Sequence, residues 1–295
     1  MHQSVCLITC DDLPFSAAAT GGGELHRLFA TLSSQGTLFE NHYLQAQGFG
    51  SILDGLSDAQ CCLADDRVQL VMCRVPGQKQ SLTPEVYESL PGQWVKSDIS
   101  RAIGPAEHCD RLFRWFHLRA GVSAFDGDLV AEVLDLVQRL LLSGCCVVVT
   151  AVRGSDGLNF PFESLLPEHR VRVPLWVLSG QSDCGRIQTV TGSFDLTRVI
   201  GEFLDYPLVP RVESDSIHPG AMVDPGTKRS RRVLIRYENV HAVRTDNFLF
   251  VQQQEPASRD GILSSALYAK PEDVWNVSDV SVQYPEAVSE FQRCF

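Results

Sequence analysis

The feature that most limits how this chain can fold is an amphipathic segment followed directly by an unbroken apolar run. Leu129, Val133 and Leu140 recur at helical spacing within residues 128–142, and Gly144 follows as a signal for the end of a helix. Residues 145–152 then read Cys-Cys-Val-Val-Val-Thr-Ala-Val. A run of this kind is typical of a strand covered on both faces, as in parallel sheets. The two segments therefore predict a helix and a strand of an α/β domain.

The same alternation of predicted strands and helices extends over residues 1–206. The pattern predicts strands at residues 5–9, 68–73, 112–118, 146–151 and 173–178, an extended segment at 37–43, and helices at 24–34, 128–142 and 195–204. This order favours a mostly parallel sheet sandwiched by helices. Residues 76–110 are rich in Pro, Gly and Ser and predict mostly loop, with a turn of helix at 84–90; a short helix is predicted at 50–56.

The last part of the chain has a different pattern. Residues 207–231 form a polar, proline-containing segment, which predicts a linker, and short extended runs follow at 233–236, 241–244 and 248–252. These runs predict a small C-terminal antiparallel subdomain over residues 232–295. The basic run at 228–232 favours a solvated linker, and contact with an acidic partner is the alternative.

Charge and composition exclude several classes of function. The net charge is -11 and the pI about 5.2, which disfavours nucleic-acid binding because that affinity depends on Lys and Arg neutralising phosphates. No apolar stretch reaches the 18 residues of a membrane span, and no basic segment precedes the apolar run at the N-terminus, so we expect a cytoplasmic protein without a membrane partner. The ten cysteines contain no Cys-x-x-Cys pair, which favours reduced structural thiols over a zinc site.

Several segments, taken in order, resemble sulfatases of the alkaline-phosphatase-like superfamily. They are LITCDDLP with ELHRLFATLSSQGTLFENHYLQAQG, then CCVVVTAVRG, HRVRVPLWV, and HAVRTDNFLFV followed by ALYAKPEDVWNVSD. The resemblance runs from about Val5 to the C-terminus, with residues 76–110 unmatched. It implies an α/β core followed by a small antiparallel subdomain, and it implies hydrolysis of sulfuric esters as the activity of the family.

The resemblance also locates a nucleophile loop, in which the family has Cys or Ser, then Pro, then Arg. Alignment on Asp54-Gly55 places Gln45 at the nucleophile and Phe49 at the arginine. An amide is not a nucleophile, and a benzyl group cannot bind an anion in a bidentate manner. Ser51 lies nearby as a displaced nucleophile, although a plain loop serine is the simpler interpretation.

The family's metal, usually calcium, takes ligands from two loops. Asp11 and Asp12 match the first pair of ligands, whereas the second pair falls on Val152 and Arg153. Three interpretations stay open: Arg153 replaces the metal and neutralises an aspartate, a weak metal site survives with residues 155–156 shifted into register, or the aspartates are solvated loop residues. We therefore expect no cofactor, with calcium as the exception if the site survives.

Two further features have ordinary structural explanations beside functional ones. His117, inside an aromatic strand, is predicted to be a core histidine with its polar atoms satisfied. The glycines at 21–23 precede a helix and could hold an anion, but a flexible loop is the simpler interpretation. Together the sequence predicts a non-catalytic binding or regulatory pseudoenzyme whose partner is a protein or a small anionic ligand. The alternative is a hydrolase of sulfate or phosphate esters with a rearranged metal-dependent site.

Overall fold

The structure is a computed structural model of the 295-residue chain, and it describes residues 3–13, 15, 23–45, 68–74, 94–98, 111–118, 127–154, 165–180, 184–204, 232–254 and 262–295. The strands of the larger sheet are β1 (Gln3–Asp12), β2 (Thr37–Tyr43), β3 (Val68–Arg74), β4 (Trp94–Asp98), β5 (Arg111–Leu118), β6 (Cys146–Arg153), β7 (Arg172–Leu178), β8 (Gly185–Ile187) and β9 (Thr191–Gly192). The helices are α1 (Glu24–Gln35), α2 (Gly127–Leu142), α3 (Glu168–Val171), α4 (Ser193–Phe203) and α5 (Pro285–Gln292).

The larger sheet has the order β4-β3-β5-β1-β6-β7-β2-β8, with β9 paired to β2. Strand β1 lies between β5 and β6 and is parallel to both. Strand β7 is antiparallel to its neighbours β6 and β2, whereas the other pairings in this sheet are parallel. The predicted mostly parallel sheet is therefore confirmed, with one reversed strand inside it.

Helices cover both faces of this sheet because its strands are apolar on both sides. One hydrophobic cluster contains Cys6, Ile8 and Trp176 together with the buried residues of α1 and α2. The other cluster contains Leu7 and Trp115 together with the buried residues of α4. Alternate residues of β1 thus enter opposite clusters, as the two-residue period of a strand requires.

A separate sheet follows the core in the chain. It has the antiparallel order β10-β11-β12-β13, formed by Val233–Tyr237, Val240–Arg244, Phe248–Gln254 and Ile262–Ala269. The antiparallel meander is confirmed. Strand β13 and helix α5 follow the predicted extended runs, which ended at residue 252, and they also belong to this part of the fold. One face of this sheet packs against Tyr43, Leu166 and Val171, while α5 contributes Phe291 to the other face.

The structure corrects two local predictions. Asp11 and Asp12 belong to strand β1 and not to a loop after it, because β1 continues to pair with β6 as far as Asp12. The segment 76–110 contains strand β4, which carries only Trp94 and Val95 as apolar residues and so shows no readable period. The short helices predicted at 50–56 and 84–90 lie outside the described residues. Among the described residues, no helix is long and apolar enough to cross a membrane.

Candidate functional site

The carboxyl ends of the parallel strands β1, β5, β6 and β2 meet at one edge of the larger sheet. Open α/β sheets bind their ligands at this edge. It carries Asp11 and Asp12 from β1, His117 from β5 and Arg153 from β6, while Gln45 follows β2. The structure therefore brings these sequence-predicted residues to one edge, although it divides them between the two faces of the sheet.

The side chain of Asp11 contacts His117. The two residues lie on adjacent parallel strands, and the Nε2 atom of His117 is 3.2 Å from Oδ1 of Asp11. The side chain of Asp11 is 28% exposed, whereas that of His117 is 6% exposed. The prediction of a core histidine with satisfied polar atoms is thus confirmed, and one of its partners is a residue that the resemblance assigns to the metal.

Thr9 and Trp115 hold the ring of His117 in place. Nε1 of Trp115 donates to Oγ1 of Thr9 at 2.8 Å, and the same oxygen lies 3.0 Å from Nδ1 of His117. An indole nitrogen only donates, so the threonine hydroxyl keeps its own proton for Nδ1. This arrangement favours the tautomer with the proton on Nε2, which then donates to Asp11. Thr9 is fully buried. The hydrogen bonds that pass through it therefore fix the orientation of the His117 ring toward the Asp11 carboxylate.

On the β6 side of Asp11, the position implied for a metal ligand is apolar. Val152 is 4% exposed and belongs to the same hydrophobic cluster as Leu7 and Trp115, on the face that Asp11 shares with them. Arg153 is instead the register partner of Asp12, on the opposite face, and it is exposed. A hard cation needs six or more oxygen ligands. The described residues contain no cluster of three His, Cys, Asp or Glu that could hold a metal ion, so they do not fit the family's calcium.

The position of Arg153 bears on its predicted role as a substitute for the metal. Its carbonyl accepts from the backbone N–H of Leu13 at 3.2 Å, so the strands β1 and β6 stay joined past Asp12. The adjacent N–H of Gly154 donates to the carbonyl of Arg170 at 2.8 Å. That Arg153 neutralises Asp11 or Asp12 remains a prediction, but the burial that would make such a pair strong is missing because Arg153 is exposed. Residues 155–156, the alternative ligands, lie outside the described part of the chain.

Gln45 occupies the place that the alignment assigns to the nucleophile, at the junction of three elements. Its N–H donates to Oγ of Ser193 at the start of α4 at 3.4 Å, and its carbonyl accepts from the N–H of Arg236 in β10 at 2.9 Å. Its Oε1 lies 3.0 Å from the point where a Cβ on Gly192 would sit, so the side chain rests on that glycine. Gln45 thus joins the core to the C-terminal sheet. Phe49, Ser51 and the glycines at 21–22 lie outside the described residues.

A buried charge cluster that the sequence did not reveal lies beside this edge. Nζ of Lys270 is 2.8 Å from Oε2 of Glu168, and the hydroxyl of Tyr43 donates to Oε1 of the same carboxylate. Nε of Arg244 donates to the Tyr43 hydroxyl at 3.1 Å. Burial raises the pKa of Glu168, but the charges of Lys270 and Arg244 and the hydrogen bonds to the carboxylate outweigh burial and lower it. Burial lowers the pKa of Lys270, and Glu168 offsets this only in part.

This cluster links the two sheets through side chains that are remote in the sequence. Tyr43 ends β2 and Glu168 begins α3, whereas Arg244 ends β11 and Lys270 follows β13. Tyr43, Arg244 and Lys270 stand in segments that carry the resemblance, but nothing in those segments indicates that the three side chains meet Glu168. A basic residue and an acidic residue 102 positions apart give no local pattern. We assign the cluster a structural role because its polar atoms are directed at one another.

Several solved structures share this architecture. A phosphonate monoester hydrolase of Agrobacterium radiobacter superposes with a TM-score of 0.64 and 10% identity, covering 98% of this chain and 94% of that chain. The 6S-sulf protein of a Bacteroides thetaiotaomicron locus for metabolism of multiple glycosaminoglycans gives a TM-score of 0.66 and 12% identity, covering 100% and 98%. A Vibrio parahaemolyticus protein of the alkaline phosphatase superfamily gives 0.59 and 8%, covering 98% and 88%.

The chain has the fold of the alkaline phosphatase superfamily, in the form that sulfatases and phosphonate monoester hydrolases share. The identities are too low to carry activity or substrate from these proteins to this one. No family model matches the sequence, and no curated protein sequence matches it. The fold predicted from the resemblance is thus confirmed, whereas the function has to be argued from the site.

Proposed function

We propose that this chain is a non-catalytic binding protein built on the sulfatase fold. The observation that carries the proposal is the surroundings of Asp11. This carboxylate has His117 on the β5 side and the buried Val152 on the β6 side. In an enzyme of this fold a metal would neutralise the carboxylate and the charge that develops on the ester. In this chain His117 forms a hydrogen bond with the Asp11 carboxylate, and the apolar side chain of Val152 lies on the β6 side, where the family has a metal ligand.

The position of Gln45 supports the same proposal. Its backbone forms hydrogen bonds with Ser193 and Arg236, which fix the residue just after the carboxyl end of β2. An amide side chain there can donate and accept hydrogen bonds but cannot form an ester intermediate. Together with the exposed Arg153, this edge suits recognition of an anion without its cleavage. We therefore propose a small sulfate- or phosphate-bearing molecule as the ligand class, with an acidic protein segment as the other form of partner.

A turnover assay tests the absence of catalysis. The purified chain is incubated with aryl sulfates, phosphates and phosphonates, alone and with calcium, magnesium, manganese or zinc. We expect hydrolysis no faster than in the Gln45→Ala variant, because the chain supplies no nucleophile at that position. Robust turnover that disappears in Asp11→Ala would overturn the proposal.

That second outcome would instead support a rearranged hydrolase. One observation favours this alternative: Asp11 is partly exposed and is hydrogen-bonded to an oriented histidine, so the carboxyl edge holds a polar pair that solvent reaches. A carboxylate that solvent reaches can orient an attacking water at a bound ester. The Asp11→Ala and Gln45→Ala variants separate the two functions, since only the alternative makes the aspartate essential for turnover.

A thermal melt tests the metal site independently of activity. A metal present at about 100 times its dissociation constant would stabilise the native chain by about 2.7 kcal/mol. We expect the melting temperature to be the same in EDTA and in millimolar calcium, because the described ligands do not fit the ion. A clear rise in calcium would show that a metal site exists and would remove the main support for a non-catalytic role.

A further inference from the structure

Three neighbouring strands bring two thiols and a guanidinium together beneath the C-terminal end of α2. Arg114 of β5 is the register partner of Cys6 in β1. Cys145 lies immediately before β6, two residues ahead of Val147, which is the register partner of Cys6 on the other side. Cys6 and Cys145 belong to the cluster packed against α2. The three side chains thus share one face of the sheet, nearer the amino ends of the strands and away from the edge that carries Asp11.

The contacts within this group converge on the sulfur of Cys145. Nη1 of Arg114 donates to Sγ of Cys145 at 3.5 Å, and Oγ of Ser143 lies 3.2 Å from the same sulfur. The thiol of Cys6 lies on the same face of the neighbouring strand β1. Arg114 is 3% exposed, so solvent screens its charge only weakly. A cationic, hydrogen-bonding environment of this kind favours the thiolate over the thiol.

The environment also distinguishes Cys145 from its neighbours. The neighbouring thiol of Cys6, followed by the hydrogen bonds from Ser143 and Arg114, lowers the pKa of Cys145 to about 6, although burial acts in the opposite direction. Burial raises the pKa of Cys6 and that of Cys146 well above the ordinary value. The group therefore favours the thiolate at Cys145 and the protonated thiol at Cys6. Such a pair is the arrangement required of an attacking and a resolving cysteine.

We propose that Cys145 is a peroxide-sensitive thiolate and that Cys6 is its resolving thiol. The thiolate attacks the terminal oxygen of a hydroperoxide, an S–O bond forms, and the O–O bond breaks. The leaving alkoxide takes a proton from water and departs as an alcohol, or as water when hydrogen peroxide is the oxidant. Cys145 is thereby oxidised by two electrons to a sulfenic acid.

The second step consumes the sulfenic acid. Cys6 loses its proton and attacks the sulfur of Cys145, an S–S bond forms, and the S–O bond breaks as hydroxide takes up that proton and leaves as water. No further oxidant is needed. Cys145 is 4% exposed but follows the exposed residues Ser143 and Gly144 in the chain, so small uncharged reagents are the class that fits, and hydrogen peroxide is the oxidant among them.

Peptide mapping tests the disulfide. The native chain is treated with a small excess of hydrogen peroxide, free thiols are alkylated, and the tryptic peptides are fragmented in the mass spectrometer. Fragmentation is needed because trypsin leaves Cys6 with Cys10 and Cys145 with Cys146. We expect a Cys6–Cys145 link, and in the Cys6→Ser variant we expect a sulfenic acid at Cys145 that dimedone traps. The proposal fails if Cys145 stays reduced while the exposed Cys184 is oxidised, or if the link joins other cysteines.

A pH profile of alkylation tests the thiolate without any oxidation. The rate of iodoacetamide labelling at Cys145 should reach half of its maximum near pH 6. In Arg114→Gln the midpoint should rise, and Arg114→Lys, which keeps the charge, should restore part of the shift. A midpoint near pH 8.5 in the native chain, the value of an ordinary thiol, would overturn the proposal. This measurement on the native chain decides the matter even if the Arg114 variants do not fold.

Discussion

The buried pair of Glu168 and Lys270 offers the sharpest test of how this fold is held together. Their side chains are 11% and 3% exposed, and the ammonium also donates to the carbonyl of Asp273 at 2.7 Å. The substitution Lys270→Met keeps the apolar stem and removes the charge. The Glu168 carboxylate then stays buried without the ammonium. Its remaining hydrogen-bond donor in the cluster is the Tyr43 hydroxyl, and the remaining nearby charge is that of Arg244.

The expected cost follows from that residual charge. Breaking a buried ion pair by removing one partner costs about 3–5 kcal/mol, since the other charge stays buried. Arg244 still acts on Glu168, so we expect a value near the lower end, about 3 kcal/mol. The double variant Glu168→Gln with Lys270→Met removes both charges of the pair, while Arg244 keeps its hydrogen bonds to the Tyr43 hydroxyl and the Phe248 carbonyl. It should therefore be more stable than Lys270→Met alone. Replacing both partners of a buried pair is often neutral because the desolvation of two ions is avoided.

The assay is urea unfolding of the native chain, both single variants and the double variant, analysed as a double-mutant cycle. A matched control is the exposed pair of Asp135 and Arg139, with side chains 62% and 49% exposed, where Arg139→Ala should cost only about 0.3–0.5 kcal/mol. If Lys270→Met costs no more than Arg139→Ala, or if the double variant is the least stable of the series, the reasoning is refuted.

The same pair predicts a dependence on pH. The pKa of Glu168 is lowered in the folded chain, so the unfolded chain binds the proton more tightly. The stability that this group contributes is present above the ordinary glutamate pKa of about 4.3 and is lost as the pH falls below it. Glu168→Gln should thus flatten the acid limb of a stability profile. An unchanged slope between roughly pH 5 and pH 3 would contradict this prediction.

Three further substitutions test single contacts. In Gly154→Ala the new Cβ would lie 1.8 Å from the carbonyl oxygen of His169, so the backbone has to shift, and urea unfolding should show a loss of about 1–3 kcal/mol. Thr9→Val removes the acceptor of the Trp115 indole, and calorimetry should show a loss of about 1–3 kcal/mol from the unsatisfied donor. Arg153→Ala should cost less than about 1 kcal/mol because the side chain is exposed, whereas a loss of 3–5 kcal/mol would support its proposed pairing with Asp11 or Asp12.

The sequence alone determined most of the regular elements. The period of Leu129, Val133 and Leu140 marks α2, and the unbroken run after Gly144 marks β6, because each pattern depends on residues within a few positions of one another. The meander over 233–252 was visible for the same reason. Where the apolar signal was short, as in β4, the local pattern failed. The order of motifs was enough to indicate the superfamily fold.

Only the tertiary structure decided which side chains meet. Strand β7 has the same apolar pattern as a parallel strand, and its reversed direction depends on how the chain returns to the sheet. Asp11 meets His117 because β1 and β5 pair in one particular register, and Glu168 meets Lys270 because the C-terminal sheet docks beside β2. Periodicity is a local property, whereas strand order, direction and register depend on contacts across the whole chain. For that reason the sequence indicated the fold, but the charge and hydrogen-bond partners of its site had to come from the structure.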